Sequence, residues 1–166
     1  MSEAPRFQPD QILLALSAEG VDYVVVGGFA AQVHGSPSLT RDIDICYGLD
    51  RENLGRLARA LSKLRAIRRG SSAGVNAPID ELALRAGDLF TLTTQHGDVD
   101  LLGHPDPGFD FETLDRTAID AAIAGVRVRV ASLDDLIAMK RAAGRPKDRI
   151  ELEILGALRE EIDRTE

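Results

Sequence analysis

The chain has 166 residues, 44% hydrophobic and only 4% aromatic, which is enough for one domain with a mainly aliphatic core. Its formal net charge of −7 argues against a protein that coats nucleic acid non-specifically, although it leaves room for a local basic groove. The single cysteine, Cys46, excludes an internal disulfide. We expect a cytoplasmic protein without a membrane span, because residues 1–10 carry no signal-like pattern and no apolar run is long enough.

The first part of the chain predicts helices that alternate with two strands. The hydrophobic periodicity and the capping residues predict, in chain order, a helix over 9–18, a buried strand over 21–26, a short helix over 28–33, a strand over 41–47 and a helix over 51–64 capped by Asp50. Residues 65–78, rich in Arg, Gly and Ser, predict a mobile basic loop. Residues 79–85 fit either a short helix or a connector.

The second part predicts two hairpins and two closing helices. The expected elements are strands over 89–94 and 98–102 around a turn at 95–97, one or two helical turns over 109–116, a hairpin of 119–123 with 126–130, and helices over 133–143 and 147–162. There is no internal repeat or low-complexity tract. The pattern therefore indicates one compact α/β unit.

The strongest functional pattern lies in residues 24–45. An apolar run ends in Gly27-Gly28, and glycine lets a backbone approach a phosphate closely. On a strand, Asp42 and Asp44 lie on the same face, roughly 7 Å apart by the rise of two residues. A phosphate-binding turn beside paired carboxylates predicts a metal–nucleotide site. The alternatives are a tight turn without a ligand and a half-exposed strand.

Four motifs in order resemble known proteins. Gly27-Gly28, thirteen residues and then Asp42-Ile43-Asp44-Ile45 resemble the signature of the DNA polymerase beta nucleotidyltransferase superfamily, and Val99-Asp100-Leu101 is similar to the strand that carries its third carboxylate. The stretch SLDDLIAMKRAAGRPKD resembles the bacterial AbiEii-like branch, in which a lysine and an aspartate lie about eight residues apart. Here these are Lys140 and Asp148. The resemblance covers roughly residues 8–157.

The resemblance implies a fold. It is a small mixed, twisted sheet flanked by helices, with an α/β core over 1–130 and C-terminal helices over 131–166 packed on it as one unit. One departure concerns the turn before the aspartates. Relatives often carry an arginine at the position of Ser38, whereas this chain has Arg41, so the resemblance does not assign phosphate binding to Arg41.

The implied chemistry uses two Mg²⁺ ions, for which Mn²⁺ substitutes, and hard cations of this kind prefer oxygen ligands. Asp42 and Asp44 are expected to bridge both ions, and Asp100 is expected to bind one of them beside the acceptor hydroxyl and to take its proton. Backbone N–H groups after Gly27 and Gly28 are expected to meet the phosphates. Asp98, on the same face as Asp100, is the rival third ligand, and its place after Gly97 favours a solvated turn residue instead.

Two further residues are candidates for the nucleotide site. Lys140 lies on the apolar side of its helix and is expected to reach the triphosphate or the nucleotide ring, the alternative being a surface lysine with a buried stem. Asp148 either orients Lys140, binds a base or the acceptor, or is only a negative charge at a helix N-terminus. Cys46 is expected to be inert core, and no Cys/His spacing predicts zinc.

The predicted function is magnesium-dependent transfer of a nucleoside monophosphate from an NTP to an acceptor. The resemblance implies ATP binding, tRNA or a protein as the acceptor, and a toxin-like enzyme with an antitoxin partner. The alternatives are a non-catalytic nucleotide-binding module and an antibiotic-type enzyme that modifies a small molecule, although such enzymes usually have a larger acceptor-binding region. A set of basic residues either grips an acidic acceptor or the triphosphate, or forms a solvated face: Lys63, Arg65, Arg68, Arg69, Arg141, Arg145, Lys147 and Arg149.

Overall fold

Strands and helices alternate along the chain in the computed structural model, which describes residues 3, 5–70 and 79–165. The strands of these ranges are β1 (Tyr23–Val26), β2 (Asp42–Tyr47), β3 (Ile67–Arg68), β4 (Phe90–Thr94), β5 (Gly97–Leu102), β6 (Ile119–Ile123) and β7 (Val126–Val130). The helices are α1 (Pro9–Ala18), α2 (Gly27–Val33), α3 (Arg51–Lys63), α4 (Glu81–Arg85), α5 (Phe111–Thr117), α6 (Leu133–Ala143) and α7 (Asp148–Thr165).

The strands form one mixed sheet in the order β3-β4-β5-β2-β1-β7-β6. The centre of the sheet contains two parallel pairs, β2 with β5 and β1 with β7, while β1 and β2 run antiparallel. Strands β4 and β5 form an antiparallel hairpin, as do β6 and β7, as predicted, and β3 pairs antiparallel with β4 at one edge. The expected α/β fold, with a mixed sheet, flanking helices and a C-terminal helical segment, is confirmed.

The central strands are buried because their side chains are aliphatic on the faces that helices cover. All four residues of β1 are buried, and Ile43 and Ile45 of β2 have no exposed surface. Helix α3 packs its leucine stripe into the same core, and its first turn is capped by Asp50, whose carboxylate accepts a hydrogen bond from the Asn53 backbone at 3.1 Å. The alternation along β2 therefore leaves its aspartates on the side away from the isoleucines.

Most predicted elements form within a few residues of their expected bounds. The main difference concerns the predicted basic loop, because Ile67 and Arg68 pair with β4 as an edge strand. Charged residues are common on edge strands as well as in loops, so composition did not separate the two. Residues 71–78 of that loop lie outside the described residues. The ambiguous segment 79–85 contains the short helix α4.

The C-terminal helices α6 and α7 pack against each other, and α6 also contacts α2, at the edge of the sheet where the aspartates lie. Over the described ranges, none of the helices combines the length and the apolar composition that crossing a bilayer requires.

Candidate active site

The parallel pairing of β2 with β5 brings three carboxylates together. In this register Asp42 is opposite Asp98 and Asp44 is opposite Asp100. Because side chains alternate along both strands, these four residues share one face of the sheet. One carboxylate oxygen from each of Asp42, Asp44 and Asp100 lies within 4.8 Å of the others. We call these three residues the triad.

Asp98 lies outside the triad although it belongs to the same face. It lies near the start of β5, as the predicted strand over 98–102 has it, and it is a strand residue rather than a turn residue. Its carboxylate accepts a hydrogen bond from the Thr93 hydroxyl at 2.9 Å and forms an ion pair with Arg69, whose Nε lies 3.3 Å from Asp98 Oδ2. The geometry therefore favours Asp100 over Asp98 as the third carboxylate of the cluster.

The electrostatics of the triad match a cation site. Burial, reinforced by the charges of Asp42 and Asp100, raises the pKa of Asp44 to about 7. Asp44 Oδ1 is buried and has no hydrogen-bond partner among the described residues. Burial also raises the pKa of Asp100, an effect that the hydrogen bond from Arg69 opposes. Three clustered carboxylates with an orphaned oxygen form a donor set that suits Mg²⁺ or Mn²⁺.

Gly27 makes room for the triad. Its φ is +68°, and a Cβ placed on it would lie 2.0 Å from Asp44 Oδ2. Gly28 is different, since a Cβ there would meet the Thr40 side chain at an ordinary contact distance of 3.4 Å. The sequence analysis attributed both glycines to phosphate approach. The structure supplies a steric reason for Gly27 alone, which is the side chain of Asp44.

Thr40 is a residue that the sequence analysis did not assign to the site. Its hydroxyl donates a hydrogen bond to Asp42 Oδ1 at 2.9 Å and so restrains one carboxylate of the triad. The only sequence signal is its position two residues before Asp42, where its side chain points to the same face of the chain.

Lys140 and Asp148 form the opposite wall of the site. Lys140 Nζ lies 3.2 Å from Asp148 Oδ1, and Asp148 is almost completely buried, with 1% of its side chain exposed. Arg145 adds a backbone hydrogen bond at 3.1 Å and a guanidinium hydrogen bond at 2.9 Å to Asp148 Oδ2. The hydrogen bond from the Arg145 side chain, with that from Lys140, lowers the pKa of Asp148 to about 2. Asp148 thus contacts Lys140 and is also the first residue of α7.

One cleft of about 760 Å³ is lined by all seven residues that the sequence analysis assigned to the metal and nucleotide site. The sheet side supplies Gly27, Gly28, Asp42, Asp44 and Asp100, and the helical side supplies Lys140 and Asp148. Leu89, Leu102, Pro105 and Asp106 also line the cleft. A cluster of carboxylates and a lysine therefore line the same cleft, whose volume is large enough for a small organic ligand.

Arg69 is the main feature that the sequence analysis missed. It was named only as one of eight basic residues, yet its Nη2 lies 2.7 Å from Asp100 Oδ1. Of the other basic residues named with it, Arg145 contacts Asp148, and Lys63 pairs with Glu19 away from the triad. The described basic residues therefore do not form one continuous patch.

Comparison with solved structures identifies the architecture. A candidate nucleotidyltransferase from Thermotoga maritima matches with a TM-score of 0.55 at 21% identity, over 96% of this chain and 97% of that one. The lincosamide antibiotic adenylyltransferase LnuA, bound to lincomycin, matches with a TM-score of 0.60 at 13% identity, over 90% and 95%. The chain has the nucleotidyltransferase fold.

A third structure of this fold, ANT(2")-Ia in complex with adenylyl-2"-tobramycin, matches with a TM-score of 0.53 at 18% identity, over 93% of this chain and 96% of that one. No family model matches the sequence, and no curated protein matches it. At these identities the likeness to solved structures is one of nucleotidyltransferase fold, and the AbiEii-like branch has no counterpart among the three.

The steric role of Gly27 can be tested with the adjacent Gly28 as a control. We expect Gly27→Ala to lower the free energy of unfolding by about 1–3 kcal/mol or more. The substitution places a side chain on a residue of positive φ and brings its Cβ into collision with Asp44. Gly28→Ala is expected to change it by less than about 0.5 kcal/mol, as an ordinary contact at a helix start allows. Urea denaturation of both variants measures the difference, and equal losses would contradict the steric role of Gly27.

A second prediction concerns the pH dependence of the contact between α6 and α7. The folded-state pKa of Asp148 lies below its ordinary value, so its stabilising effect is complete above about pH 4 and is lost as the pH falls toward 2. We expect Asp148→Asn to lower the free energy of unfolding by about 1–3 kcal/mol at pH 7, and by progressively less below pH 4.

Asp163→Asn is the matched control for that prediction, because Asp163 lies on the same helix and pairs with Arg159 with 57% of its side chain exposed. It is expected to have little effect at any pH. Thermal unfolding measured between pH 3 and 7 compares the two variants. A loss for Asp148→Asn that did not shrink on acidification would refute the charged role of Asp148.

Proposed function

We propose that this chain is a magnesium-dependent nucleotidyltransferase that transfers a nucleoside monophosphate from an NTP, such as ATP, to a hydroxyl-bearing acceptor. The observation that carries the proposal is the convergence of Asp42, Asp44 and Asp100 within 4.8 Å, in one cleft with Lys140. The fold of the solved nucleotidyltransferases supports the reaction class. It does not by itself select the acceptor.

In the proposed reaction the acceptor oxygen attacks the α-phosphorus of the NTP. The bond from that phosphorus to the bridging oxygen breaks, and pyrophosphate leaves with the electron pair. Two divalent ions held by Asp42, Asp44 and Asp100 would supply charge neutralisation for the phosphates and for the attacking and leaving oxygens. We assign Asp100 to accept the proton of the acceptor hydroxyl, because the resemblance implies this role and Asp100 lines the cleft beside the other two carboxylates.

Lys140 and Asp148 are proposed to bind the nucleotide from the helical side. The Lys140 ammonium lies in the cleft, and it is partly buried, with 25% of its side chain exposed. Its contact with the ionised Asp148 at 3.2 Å fixes the direction of the long side chain, so that the ammonium is ready to meet a phosphate or a ring. Backbone N–H groups after Gly27 and Gly28 are proposed to approach the phosphates from the sheet side.

Among acceptors we favour tRNA or a protein side chain, in a toxin of a toxin–antitoxin or abortive-infection system with an antitoxin partner. This choice rests on the resemblance of residues 132–148 to the AbiEii-like branch. A small-molecule acceptor is the second candidate. The size argument against it fails, because this chain covers 95% and 96% of the lengths of LnuA, bound to lincomycin, and ANT(2")-Ia, in complex with an adenylylated tobramycin.

A non-catalytic nucleotide-binding module is less well supported. Asp44 is partly buried beside two other carboxylates, and this arrangement disfavours its charged form, which raises its pKa to about 7. Gly27, at a positive φ, makes room for that carboxylate. A binding module without metal chemistry has no need of this arrangement, because burying a charge is costly unless something pairs with it.

The proposed reaction is tested by transfer of label from α-labelled NTPs in the presence of Mg²⁺. We expect label to reach total tRNA, the protein fraction or a small-molecule acceptor, each supplied separately to the full chain. Asp100→Asn is expected to reduce transfer at least about 100-fold, as removal of a group at the reacting charges does, while nucleotide affinity changes little.

Asp98→Asn is the comparison variant, since Asp98 lies two residues away on the same strand face and outside the triad. We expect it to reduce transfer less than about tenfold. A larger loss in Asp98→Asn than in Asp100→Asn would overturn the choice of the third carboxylate. Nucleotide binding without transfer to any acceptor, unchanged in Asp42→Ala/Asp44→Ala, would support the non-catalytic module.

A further inference from the structure

We propose that Arg69 is a positioning residue that acts as the built-in counter-cation of the triad, holding Asp100 in the metal-free protein and opposing divalent-cation binding. The inference rests on the proposed function only in taking the triad as the metal site. It concerns a residue outside the metal ligands and the nucleotide contacts assigned above.

The backbone register fixes where Arg69 lies. Strands β3 and β4 pair Ile67 with Thr93 and Arg68 with Leu92, and the Arg69 N–H continues the ladder by donating to the Thr91 carbonyl at 2.9 Å. Thr91 is in turn opposite Asp100, which is opposite Asp44. A single row across four neighbouring segments therefore places Arg69 on the same sheet face as the triad.

The neighbouring arginine shows that this placement is specific. Arg68 points to the other face, where its guanidinium stacks over the Phe90 ring at 5.2 Å from the ring centroid. Shifting the register of β3 by one residue would exchange the two arginines. The pairing with β4 therefore decides which of the two cations meets the triad.

The guanidinium is held from several sides. Arg69 Nη2 donates to Asp100 Oδ1 at 2.7 Å and to the Leu92 carbonyl at 3.2 Å, and Nε forms the ion pair with Asp98 at 3.3 Å. Asp98 is itself fixed by the Thr93 hydroxyl at 2.9 Å. Asp98, the rejected third ligand, thereby gains a role as the anchor of Arg69, which explains a second carboxylate on this strand face.

The charges determine the sign of the effect on metal binding. An arginine stays protonated at any working pH, so Arg69 is a permanent positive charge beside Asp100. In the metal-free protein this charge offsets the repulsion among the three carboxylates. When a divalent cation binds the triad, the same charge repels it and competes for Asp100. Arg69 thus stabilises the metal-free site at the cost of metal affinity.

The test is a titration of the full chain with Mn²⁺ alone, in which free Mn²⁺ is followed by its electron paramagnetic resonance signal. We expect Arg69→Gln to bind Mn²⁺ about threefold to tenfold more tightly than the unsubstituted chain, and to unfold at a lower temperature without metal. Arg69→Met, which keeps most of the apolar stem, is expected to shift both quantities in the same direction. Arg69→Lys keeps the charge and is expected to stay within about twofold in affinity.

Arg56→Gln is the matched control, because Arg56 has the same exposed fraction of 35% and also pairs with a carboxylate, Glu52, on a helix away from the cleft. It is expected to leave Mn²⁺ affinity unchanged. If both neutral Arg69 variants bound Mn²⁺ no more tightly than the unsubstituted chain, the inference about Arg69 would be overturned and the proposed metal site would stand. A chain that bound no Mn²⁺ with Arg69 present or replaced would overturn the metal site and the inference with it.

Discussion

The site depends on the parallel pairing of β2 with β5. That pairing sets Asp44 beside Asp100, and the alternation of each strand sends the intervening Ile43 and Val99 into the core. The apolar residues that stabilise the strands thus alternate with the aspartates, whose partial burial and mutual repulsion destabilise the folded protein. Burial of the isoleucines fixes the register, and the register in turn holds three carboxylates at distances they would not adopt in solution.

Other features of the cleft accommodate this concentration of negative charge. Gly27 yields the space that the Asp44 carboxylate occupies, and the Thr40 hydroxyl restrains Asp42. Arg69 brings a cation from the sheet edge, and Lys140 brings one from the helical side, itself held by Asp148. A divalent ion and a triphosphate would add charges of both signs to a cleft in which Asp100 and Asp148 pair with cations, whereas Asp42 and Asp44 form no ion pair among the described residues.

Much of the site could be predicted from the sequence. Alternation along 41–47 predicts Asp42 and Asp44 on one face, and the resemblance to the nucleotidyltransferase superfamily, rather than a local pattern, points to Asp100, Lys140 and Asp148. Arg69 did not follow, because its contact depends on how a two-residue edge strand registers with β4, and its segment has the composition of a loop. The steric reason for Gly27 was also hidden, since it requires the position of Asp44 opposite Val26. The acceptor did not follow either, because the other residues that line the cleft, such as Leu89, Leu102 and Pro105, form no recognisable sequence pattern.

The central claim is that the triad binds divalent cations together with a nucleotide. The most direct measurement is an anomalous difference map, at the manganese absorption edge, from crystals grown with Mn²⁺ and a non-hydrolysable NTP analogue. We expect peaks within bonding distance of the carboxylates of Asp42, Asp44 and Asp100, with the triphosphate between them and Lys140. Ordered nucleotide with no peak at the triad, or with peaks only on other carboxylates of the cleft such as Asp106 or Glu151, would contradict it.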